Sequence, residues 1–380
     1  MGGLSTNLRK FKLRYASVDL YFGPQVLGEL RDELSWFKKV VITTGRRSAR
    51  VSGALDEVVT LLTKHDVEYE VFSEITPNPW ASQADKLAQR AWSTGAEAII
   101  AIGGGSVIDT AKVAAIIAVS GGKAREYLHG ERKGRGHLPV YAINLTHGTG
   151  TEVDRYSVLT DDETREKRGM ISIYPRASVD DPRYTLTLPR RHVIYTSLDA
   201  FYHAYEAATQ KEASPFVMLL SSEVVKLVHS WLPKALTNPE DFEARYWLLY
   251  ASMLAGIAID LAGTNVVHTV EHVLSGINPQ LAHGCGLGIV GPRSAYYIHK
   301  VSPEASALLL KHLDPSIRPV PEDAERAEAA IREFQRSVEF EEKLSDYGFA
   351  RDDLPAIARR AAGPLGITAK EVRDILERSL

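Results

Sequence analysis

The sequence predicts an α/β N-terminal domain followed by an all-helical C-terminal domain. Up to about residue 182, short β-rich runs alternate with helical patterns, which is typical of βαβ units around a parallel sheet. Beyond this point the strand signals end and long helical patterns follow. Pro182 and Pro189 flank the change, so the predicted domains span residues 1–182 and 183–380.

The individual elements follow from local pattern. In the first domain, strands are predicted in KVVITTG, VEYEVFS, AEAIIAIGGG and LPVYAINLT, and helices in SGALDEVVTLLTKH, ASQADKLAQRAWSTG and SVIDTAKVAAIIAVS. In the second domain, helices are predicted in SPFVMLLSSEVVKLVHSWL, DFEARYWLLYASMLAGIAIDLAG and EDAERAEAAIREFQRSVEFEEKL. With 380 residues, 44% of them hydrophobic, the chain is long enough to bury a large core.

Composition excludes several classes of function. A formal net charge of -3 gives no basic footprint for nucleic acid, and apolar runs such as KVAAIIAV are too short to span a bilayer. The N-terminal residues 1–17 contain no apolar run typical of a secretory signal. The single cysteine, Cys285, cannot form an internal disulfide. We therefore expect a soluble cytoplasmic protein that binds neither nucleic acid nor membrane.

A glycine-rich turn lies between a predicted strand and a predicted helix in IIAIGGGSVIDTAK. Glycines at 103–105 let a phosphate approach the backbone N–H groups, and a helix N-terminus favours its charge. Ser106 is the predicted N-cap, with Asp109 three residues later as in a capping box. Since the turn is not G-x-G-x-x-G, a simple tight connection remains an alternative.

Four residues of the second domain form a candidate metal site. Asp199 and His203 are four residues apart in a stretch without Gly or Pro, so on a helix their side chains share one face. With His268 and His283 they offer one carboxylate and three imidazoles, a set that suits Fe2+ or Zn2+. A Lewis acid combined with a pyrophosphate-binding turn is what metal-assisted hydride transfer requires.

Five motifs, the last of them a pair of segments, are spread over essentially the whole chain: GGGSVIDTAK, THGTGTEV, VDDPRYTLTLP, SLDAFYHAYEA, and VVHTVEHVLSG with LAHGCGLG. Together they resemble the iron-containing (group III) alcohol dehydrogenase family. The resemblance implies a Rossmann-like nucleotide domain, a helical domain and an active-site cleft between them, as in dehydroquinate synthase-like folds. It further implies an NAD(P)-dependent alcohol dehydrogenase that acts on a primary or secondary alcohol or on its aldehyde or ketone, and members of the family often form homodimers.

The resemblance also assigns roles to individual residues. The metal ligands fall on the four residues already named, and His272 would lie near the nicotinamide and relay a proton or orient the substrate. The implied cofactor-binding residues are Gly103, Gly104, Gly105, Ser106 and Asp109 at the pyrophosphate, Asn78 near the nucleotide, Thr146 and Thr149 at the ribose or nicotinamide, and Lys167 at a ribose. Leu145 and His147 depart from the family pattern, so His147 either reshapes the nicotinamide pocket or supports it from behind.

Charge after the first strand of the nucleotide domain favours NADP over NAD. Many NAD-using members have an aspartate there, whereas this chain has Thr44 or Gly45, followed by Arg46, Arg47 and Ser48. Two guanidinium groups and a hydroxyl suit the 2′-phosphate of NADP. The alternative interpretation is a solvated basic loop.

Three rival functions remain open at this stage. A dehydroquinate synthase-like lyase uses bound NAD on a sugar phosphate and needs basic residues near the metal, for which Arg293 is a candidate. Glycerol and glycerol-phosphate dehydrogenases share the fold. A non-catalytic metal- or nucleotide-binding protein is disfavoured because all four ligand positions are intact.

Overall fold

A computed structural model describes residues 8–380 of the chain, so residues 1–7 of the segment considered for a secretory signal lie outside it. The chain divides into two compact units. The sheet unit holds the chain up to residue 146 together with residues 150–188, and the helical unit holds residues 147–149 and 189–380. The predicted order of an α/β part followed by a helical part is confirmed.

The sheet unit contains a seven-stranded sheet and a separate two-stranded hairpin within the described residues. Its strands are β1 Phe11–Tyr15, β2 Val18–Phe22, β3 Lys39–Gly45, β4 Glu68–Ile75, β5 Ala98–Gly103, β6 Val140–Asn144, β7 Tyr156–Thr160, β8 Lys167–Ile171 and β9 Ala177–Asp180. Its helices are α1 Arg31–Leu34, α2 Ser48–Val51, α3 Ala54–Lys64, α4 Ala81–Thr94, α5 Gly105–Ser120 and α6 Ala124–Leu128. The four predicted strands are β3 to β6.

The strand order places a topological switch point beside the glycine turn. The large sheet runs β1-β2-β9-β6-β5-β3-β4, parallel from β2 to β4, with β1 antiparallel at one edge. From β3 the chain crosses to β4 on one side, whereas from β5 it crosses to β6 on the other. In open parallel sheets, ligands bind outside the carboxyl ends of the strands at such a reversal.

Apolar side chains cover both faces of the sheet, as alternation along β3 shows. Val41 belongs to a buried cluster that includes residues of α4 and α5. Val40 and Ile42 point to the other face, into a cluster that includes residues of α3. Near-continuous apolar strands of this kind identify a parallel sheet that is covered on both sides.

Two hairpins were not predicted. Strands β1 and β2 form one at the sheet edge, and β7 pairs with β8 in the other. Each has a positive-φ non-glycine residue between its strands, Ala16 in the first and Arg165 in the second. Sequence signals for such hairpins rest on Asn-Gly or Gly-containing turns, which neither connection has.

The helical unit contains no strand among its described residues. Its helices are α7 Arg190–Ala208, α8 Pro215–Thr237, α9 Phe242–Ala262, α10 Val266–Ile277, α11 His283–Val301, α12 Pro303–Leu310, α13 Ala324–Ser337, α14 Leu354–Ala361 and α15 Ala369–Glu377. The helix predicted over residues 322–344 is too long, because α13 ends at Ser337 and Glu339 takes a left-handed φ of 59°. A helix cannot continue through that conformation.

Within residues 8–380, no single helix has the length and apolarity needed to cross a membrane. The bent pair α9 and α10 meets these criteria jointly, with an angle of 100° between them.

Candidate active site

The four predicted metal ligands come together in the helical unit. Asp199 Oδ1 lies 3.5 Å from His203 Nδ1 and 3.5 Å from His268 Nε2. The same oxygen lies 3.7 Å from His283 Nε2. The rings of His203 and His268 stack with their centroids 4.4 Å apart. One carboxylate oxygen is therefore surrounded by three imidazole nitrogens.

The separations of Asp199 Oδ1 from His268 and His283 fit ligands of a shared cation better than hydrogen bonds, and these three side chains lie close enough together to hold one ion. Two atoms that each lie about 2.1 Å from a tetrahedral ion stand about 3.4 Å apart, whereas nitrogen–oxygen hydrogen bonds are shorter. Asp199 Oδ1 and His268 Nε2 are buried, and neither has a hydrogen-bond partner within the described part of the chain. Unsatisfied buried polar atoms of this kind are rare and require an explanation, and a divalent cation supplies one.

Burial and mutual charge set the protonation of the cluster. Burial lowers the pKa of His203 to about 3, which keeps this imidazole neutral. Burial also opposes the charged form of His268, but the carboxylates of Glu206 and Asp199 outweigh it and raise its pKa to about 9. For Asp199, burial raises the pKa, yet His203 and His283 together hold it below its ordinary value. Cation binding at His268 would therefore release a proton.

Three helices supply these side chains. Asp199 and His203 lie one turn apart on α7, and His283 is the first residue of α11. Helix α10, which carries His268, begins after Asn265, whose side-chain nitrogen donates to Glu206 O at 3.1 Å. This bond ties the start of α10 to the last turns of α7.

Glycines on α11 allow it to approach α7 closely. A Cβ at Gly284 would lie 1.9 Å from Tyr195 O, and one at Gly291 would lie 2.0 Å from the Tyr202 ring. At Gly288 it would lie 2.9 Å from Leu198. These glycines recur at helical spacing, so one stripe of α11 contacts α7 without side chains of its own. The short side chains of Asp199 and His283 reach a common centre because of this contact.

His272 lies beside the ligand cluster. Its ring centroid is 5.6 Å from that of His283 and 6.3 Å from that of His268. It is half-buried, whereas Asp199, His203 and His268 are each at most 6% exposed. An imidazole in this position can exchange protons with solvent next to the cluster.

Two carboxylates that the sequence interpretation missed contact the ligand histidines. Glu206 Oε2 lies against His268 Nδ1, and Glu271 Oε2 lies against His283 Nδ1. Both carboxylates are fully buried. Each glutamate stands three residues after a predicted ligand, in HAYE and HTVE, and this repeated spacing is the signal that could have identified them.

In the sheet unit, the glycine turn lies at the carboxyl end of β5. A Cβ at Gly103 would lie 2.4 Å from Val107, and one at Gly104 would lie 2.7 Å from Thr146, so both positions require glycine. The predicted capping box is wrong, because Gly104 rather than Ser106 is the N-cap of α5 and no side chain among residues 8–380 caps the helix. Ser106 lies in its first turn. The leading N–H groups of α5 therefore lack a side-chain acceptor, as an anion-binding helix end requires.

Asp109 is turned away from the helix end. Its carboxylate accepts hydrogen bonds from Thr151 Oγ1 at 2.6 Å and from Val158 N at 2.9 Å. Burial raises its pKa, and Lys112 acts in the opposite direction. The ammonium of Lys112 is fully buried and donates to Thr151 and to Asp154. This network holds the segment that follows the threonine-rich motif.

The residues predicted to bind the adenosine end of the dinucleotide lie at the carboxyl end of the neighbouring strand, β3. Thr44 of β3 pairs with Ile102 of β5, so Gly45 and Gly103 occupy adjacent carboxyl ends across the switch point. Arg46, Arg47 and Ser48 are exposed immediately after β3. The structure therefore brings the basic segment and the glycine turn together at the carboxyl ends of the parallel strands.

The remaining predicted cofactor contacts are partly brought together. Lys167 Nζ donates to Asn78 Oδ1 at 3.0 Å, and both residues are buried in the sheet unit. Thr146 N donates to Asn144 Oδ1 at 3.0 Å. Thr149 belongs to the helical unit, whereas Thr146 belongs to the sheet unit.

His147 is fully buried in the helical unit. Its Nδ1 lies 3.1 Å from Thr196 Oγ1, and its Nε2 lies 3.4 Å from an Arg245 nitrogen. Burial, reinforced by the Arg245 charge, lowers its pKa to about 3. His147 therefore packs inside the helical unit through its contacts with Thr196 and Arg245.

Cys285 follows His283 by two residues and is also buried. Its sulfur lies 3.1 Å from Tyr347 Oη. Burial raises the pKa of this thiol to about 12, as expected of a structural cysteine.

Arg293, the candidate phosphate contact of the rival lyase, is not available to a ligand. Its guanidinium donates to Glu328 at 2.9 Å and to Asp374 at 2.5 Å. It is only 6% exposed. The two carboxylates neutralise its charge, so it offers no site for a sugar phosphate.

Comparison with known proteins agrees with this geometry. A family model described as iron-containing alcohol dehydrogenase matches residues 17–182. A second model, described as the C-terminal part of the Fe-containing alcohol dehydrogenase family, matches residues 193–380. Together they cover nearly the whole chain.

Individual relatives point to the same family. A long-chain primary alcohol dehydrogenase of Thermoanaerobacter ethanolicus is 38% identical over 92% of this chain and 90% of its own length. A 1,3-propanediol dehydrogenase of Klebsiella pneumoniae is 30% identical over 90% of each chain. The solved structure of an NADH-dependent butanol dehydrogenase from Thermotoga maritima aligns with a TM-score of 0.86 at 25% identity, over 97% of this chain and 98% of that one. The chain therefore belongs to the iron-containing alcohol dehydrogenase family, and it is an oxidoreductase that transfers hydride between an alcohol and a nicotinamide dinucleotide.

Proposed function

We propose that Asp199, His203, His268 and His283 hold one divalent cation, Fe2+ or Zn2+, at the catalytic centre. The observation that carries this proposal is the approach of Asp199 Oδ1 to Nε2 of His268 at 3.5 Å and of His283 at 3.7 Å, in a group compact enough to hold one ion. His203, whose Nδ1 lies 3.5 Å from the same oxygen, is the fourth ligand that the family resemblance implies. When bound, such an ion acts as a Lewis acid toward the substrate oxygen. The borderline ligand set suits both metals, and availability decides between them.

The residues around this centre have complementary tasks in the proposal. His272, half-buried beside His283, exchanges a proton between the reacting oxygen and solvent. His147 supports the helical unit from within through Thr196 and Arg245. The family and the 38% identical relative favour a primary alcohol or its aldehyde as the substrate.

The dinucleotide is proposed to lie along the switch point of the sheet. The pyrophosphate would bind the N–H groups of Gly103, Gly104, Gly105 and Ser106, with Asp109 fixing α5 from inside rather than contacting the phosphate. Asn78 and Lys167 would approach a ribose as a hydrogen-bonded pair. Thr146 and Thr149 remain the predicted contacts of the ribose or nicotinamide.

Ligand variants test the metal centre. His268→Ala and His283→Ala should each lose the bound metal and turnover while dinucleotide binding persists, because the glycine turn lies in the other unit. Metal content, initial rates and dinucleotide affinity are measured on the same preparations, with His137→Ala, which alters an exposed histidine, as the control. Full activity in metal-free wild-type enzyme would refute the proposal.

We further propose that the enzyme prefers NADP. Arg46 and Arg47 are exposed beside Gly45, and neither forms an ion pair within residues 8–380. A free guanidinium at this position suits a phosphate dianion. An equal or higher kcat/KM with NAD would defeat the proposal.

A paired variant localises the cofactor preference. Replacing Arg46 and Arg47 by Ala should lower kcat/KM for NADP by about tenfold or more and leave NAD nearly unaffected, since only the 2′-phosphate loses a partner. Arg135→Ala, which removes an exposed guanidinium elsewhere, is the matched control.

Three further expectations stay predictions. They are the cytoplasmic location, assembly as a homodimer, and the domain boundary between residues 182 and 183. Cell fractionation tests the location, and the mass of the enzyme in solution tests the homodimer. Separate expression of the two predicted domains tests the boundary.

A further inference from the structure

Two buried glutamates connect the three helices that carry the proposed ligands. Glu206 follows Asp199 and His203 on α7 at helical spacing, so all three share a face of that helix. Glu271 occupies the corresponding place on α10, three residues after His268. Neither glutamate coordinates the common centre in the set of ligands proposed above.

Glu206 makes two kinds of contact with α10. Its Oε2 accepts from the ring Nδ1 of His268, and its Oε1 accepts from the backbone Val267 N at 2.5 Å. The backbone His268 N is 3.3 Å from Oε2. The carboxylate therefore caps the first turn of α10 and also orients the imidazole.

Glu271 makes the equivalent ring contact one helix further along. Its Oε2 accepts from Nδ1 of His283, the first residue of α11, and its Oε1 accepts from Ser275 Oγ. It provides no cap for α11 through these contacts. Thus α7 holds the histidine of α10, and α10 holds the histidine of α11.

The ring contacts decide which nitrogen can bind a cation. An imidazole that donates from Nδ1 presents the lone pair of Nε2, and it is Nε2 of both rings that faces Asp199 Oδ1. A carboxylate at Nδ1 also raises the basicity of Nε2, so this nitrogen binds a cation more strongly. A purely structural ion pair would not require both Nε2 atoms to converge on one oxygen.

We propose that Glu206 and Glu271 are positioning residues that fix the tautomer and orientation of His268 and His283 for metal binding. This inference rests on the proposed metal centre. The two glutamates have different roles. Glu271 acts on the metal site alone, whereas Glu206 acts on the metal site and also caps the start of α10. Ser275 supports Glu271, so its loss should give a smaller effect in the same direction.

The metal dissociation constant is the primary measurement. Wild type, Glu206→Gln, Glu271→Gln and Ser275→Ala are titrated with Zn2+ against a competing chelator, and the visible spectrum after loading with Co2+ reports the ligand geometry. Glu271→Gln should weaken metal binding by about 10- to 100-fold and change the Co2+ spectrum. The unfolding of its metal-free form should remain that of the wild type.

Glu206→Gln should weaken metal binding to a similar extent and also destabilise the metal-free protein. Glu328→Gln, which alters another buried carboxylate of the helical unit that pairs with Arg293, is the matched control and should retain the metal affinity of the wild type. Wild-type metal affinity in both Glu206→Gln and Glu271→Gln would overturn the inference and leave the metal centre standing. Failure of the wild type to bind Zn2+ or Co2+ would overturn both.

Discussion

At the residue scale, His147 shows how a departure from the family pattern is accommodated. Its Nε2 lies within reach of an Arg245 N–H, so this nitrogen acts as the acceptor and Nδ1 carries the proton toward Thr196 Oγ1. The Thr196 hydroxyl in turn donates to His192 O at 2.8 Å. Protonation of His147 would set two donors against each other in a buried site.

Stability should therefore fall in acid partly through His147. The folded pKa of about 3 lies below the ordinary value of 6.5, so below pH 6.5 the unfolded chain takes up a proton that the native His147 does not. Between pH 7 and 5 this amounts to about 2 kcal/mol. Urea unfolding across this range should show a shallower pH dependence for His147→Gln than for the wild type, whereas His137→Gln should match the wild type.

At the element scale, the glycines of α11 have two opposing effects. They allow α11 to approach α7 closely, but they lower the intrinsic stability of the helix. Alanine at a helical glycine favours the helix by about 1 kcal/mol on propensity alone. Helix α11 also contains Pro292, which leaves the carbonyl of Gly288 without its helical N–H donor. Gln335 supplies the missing donor, with Nε2 2.8 Å from Gly288 O. Packing and a side-chain donor thus offset two local weaknesses.

Packing should outweigh propensity at Gly291. The Cβ of Gly291→Ala would overlap the fully buried Tyr202 ring, so we expect a net loss of about 1–3 kcal/mol and reduced metal retention. Denaturant unfolding and metal analysis measure the two effects. Gly28→Ala is the control, since a Cβ there meets no atom within 4 Å. Unchanged or increased stability of Gly291→Ala would show that α11 can shift without loss.

The sequence predicts elements and ligand types better than it predicts contacts across elements. Strands β3 to β6 and the main helices were predictable because each has its own period and end signals. Ser106 and Asp109 were misread because capping spacing is local, whereas Asp109 bonds to a distant strand residue, Val158. Glu206 and Glu271 were missed because each acts on a histidine of another helix.

At the scale of the whole molecule, the two binding tasks are divided between units. The glycine turn and the basic segment lie at one edge of the sheet unit, and the proposed metal ligands lie entirely in the helical unit. A different feature positions each site. The switch point of the sheet positions the glycine turn, and the close approach of α7 and α11 positions the proposed metal ligands. Because of this division, we expect dinucleotide binding to persist when a metal ligand is replaced.

Removal of the metal should therefore loosen only one unit. An ion present at 100 times its dissociation constant stabilises the protein that binds it by about 2.7 kcal/mol. Chelation should accelerate amide hydrogen exchange in α7, α10 and α11 and leave β3 to β6 unchanged, and added Zn2+ should reverse the effect. An equal rise in both units would contradict this division.

The buried cysteine of α11 provides a natural reporter of such loosening. Cys285 is the single thiol of the chain, it is fully buried, and its pKa of about 12 leaves almost no reactive thiolate. A thiol-specific reagent can modify it only while the start of α11 is detached from its neighbours. The rate of alkylation at this one sulfur therefore measures how often the structure opens next to His283, and the measurement needs no engineered label.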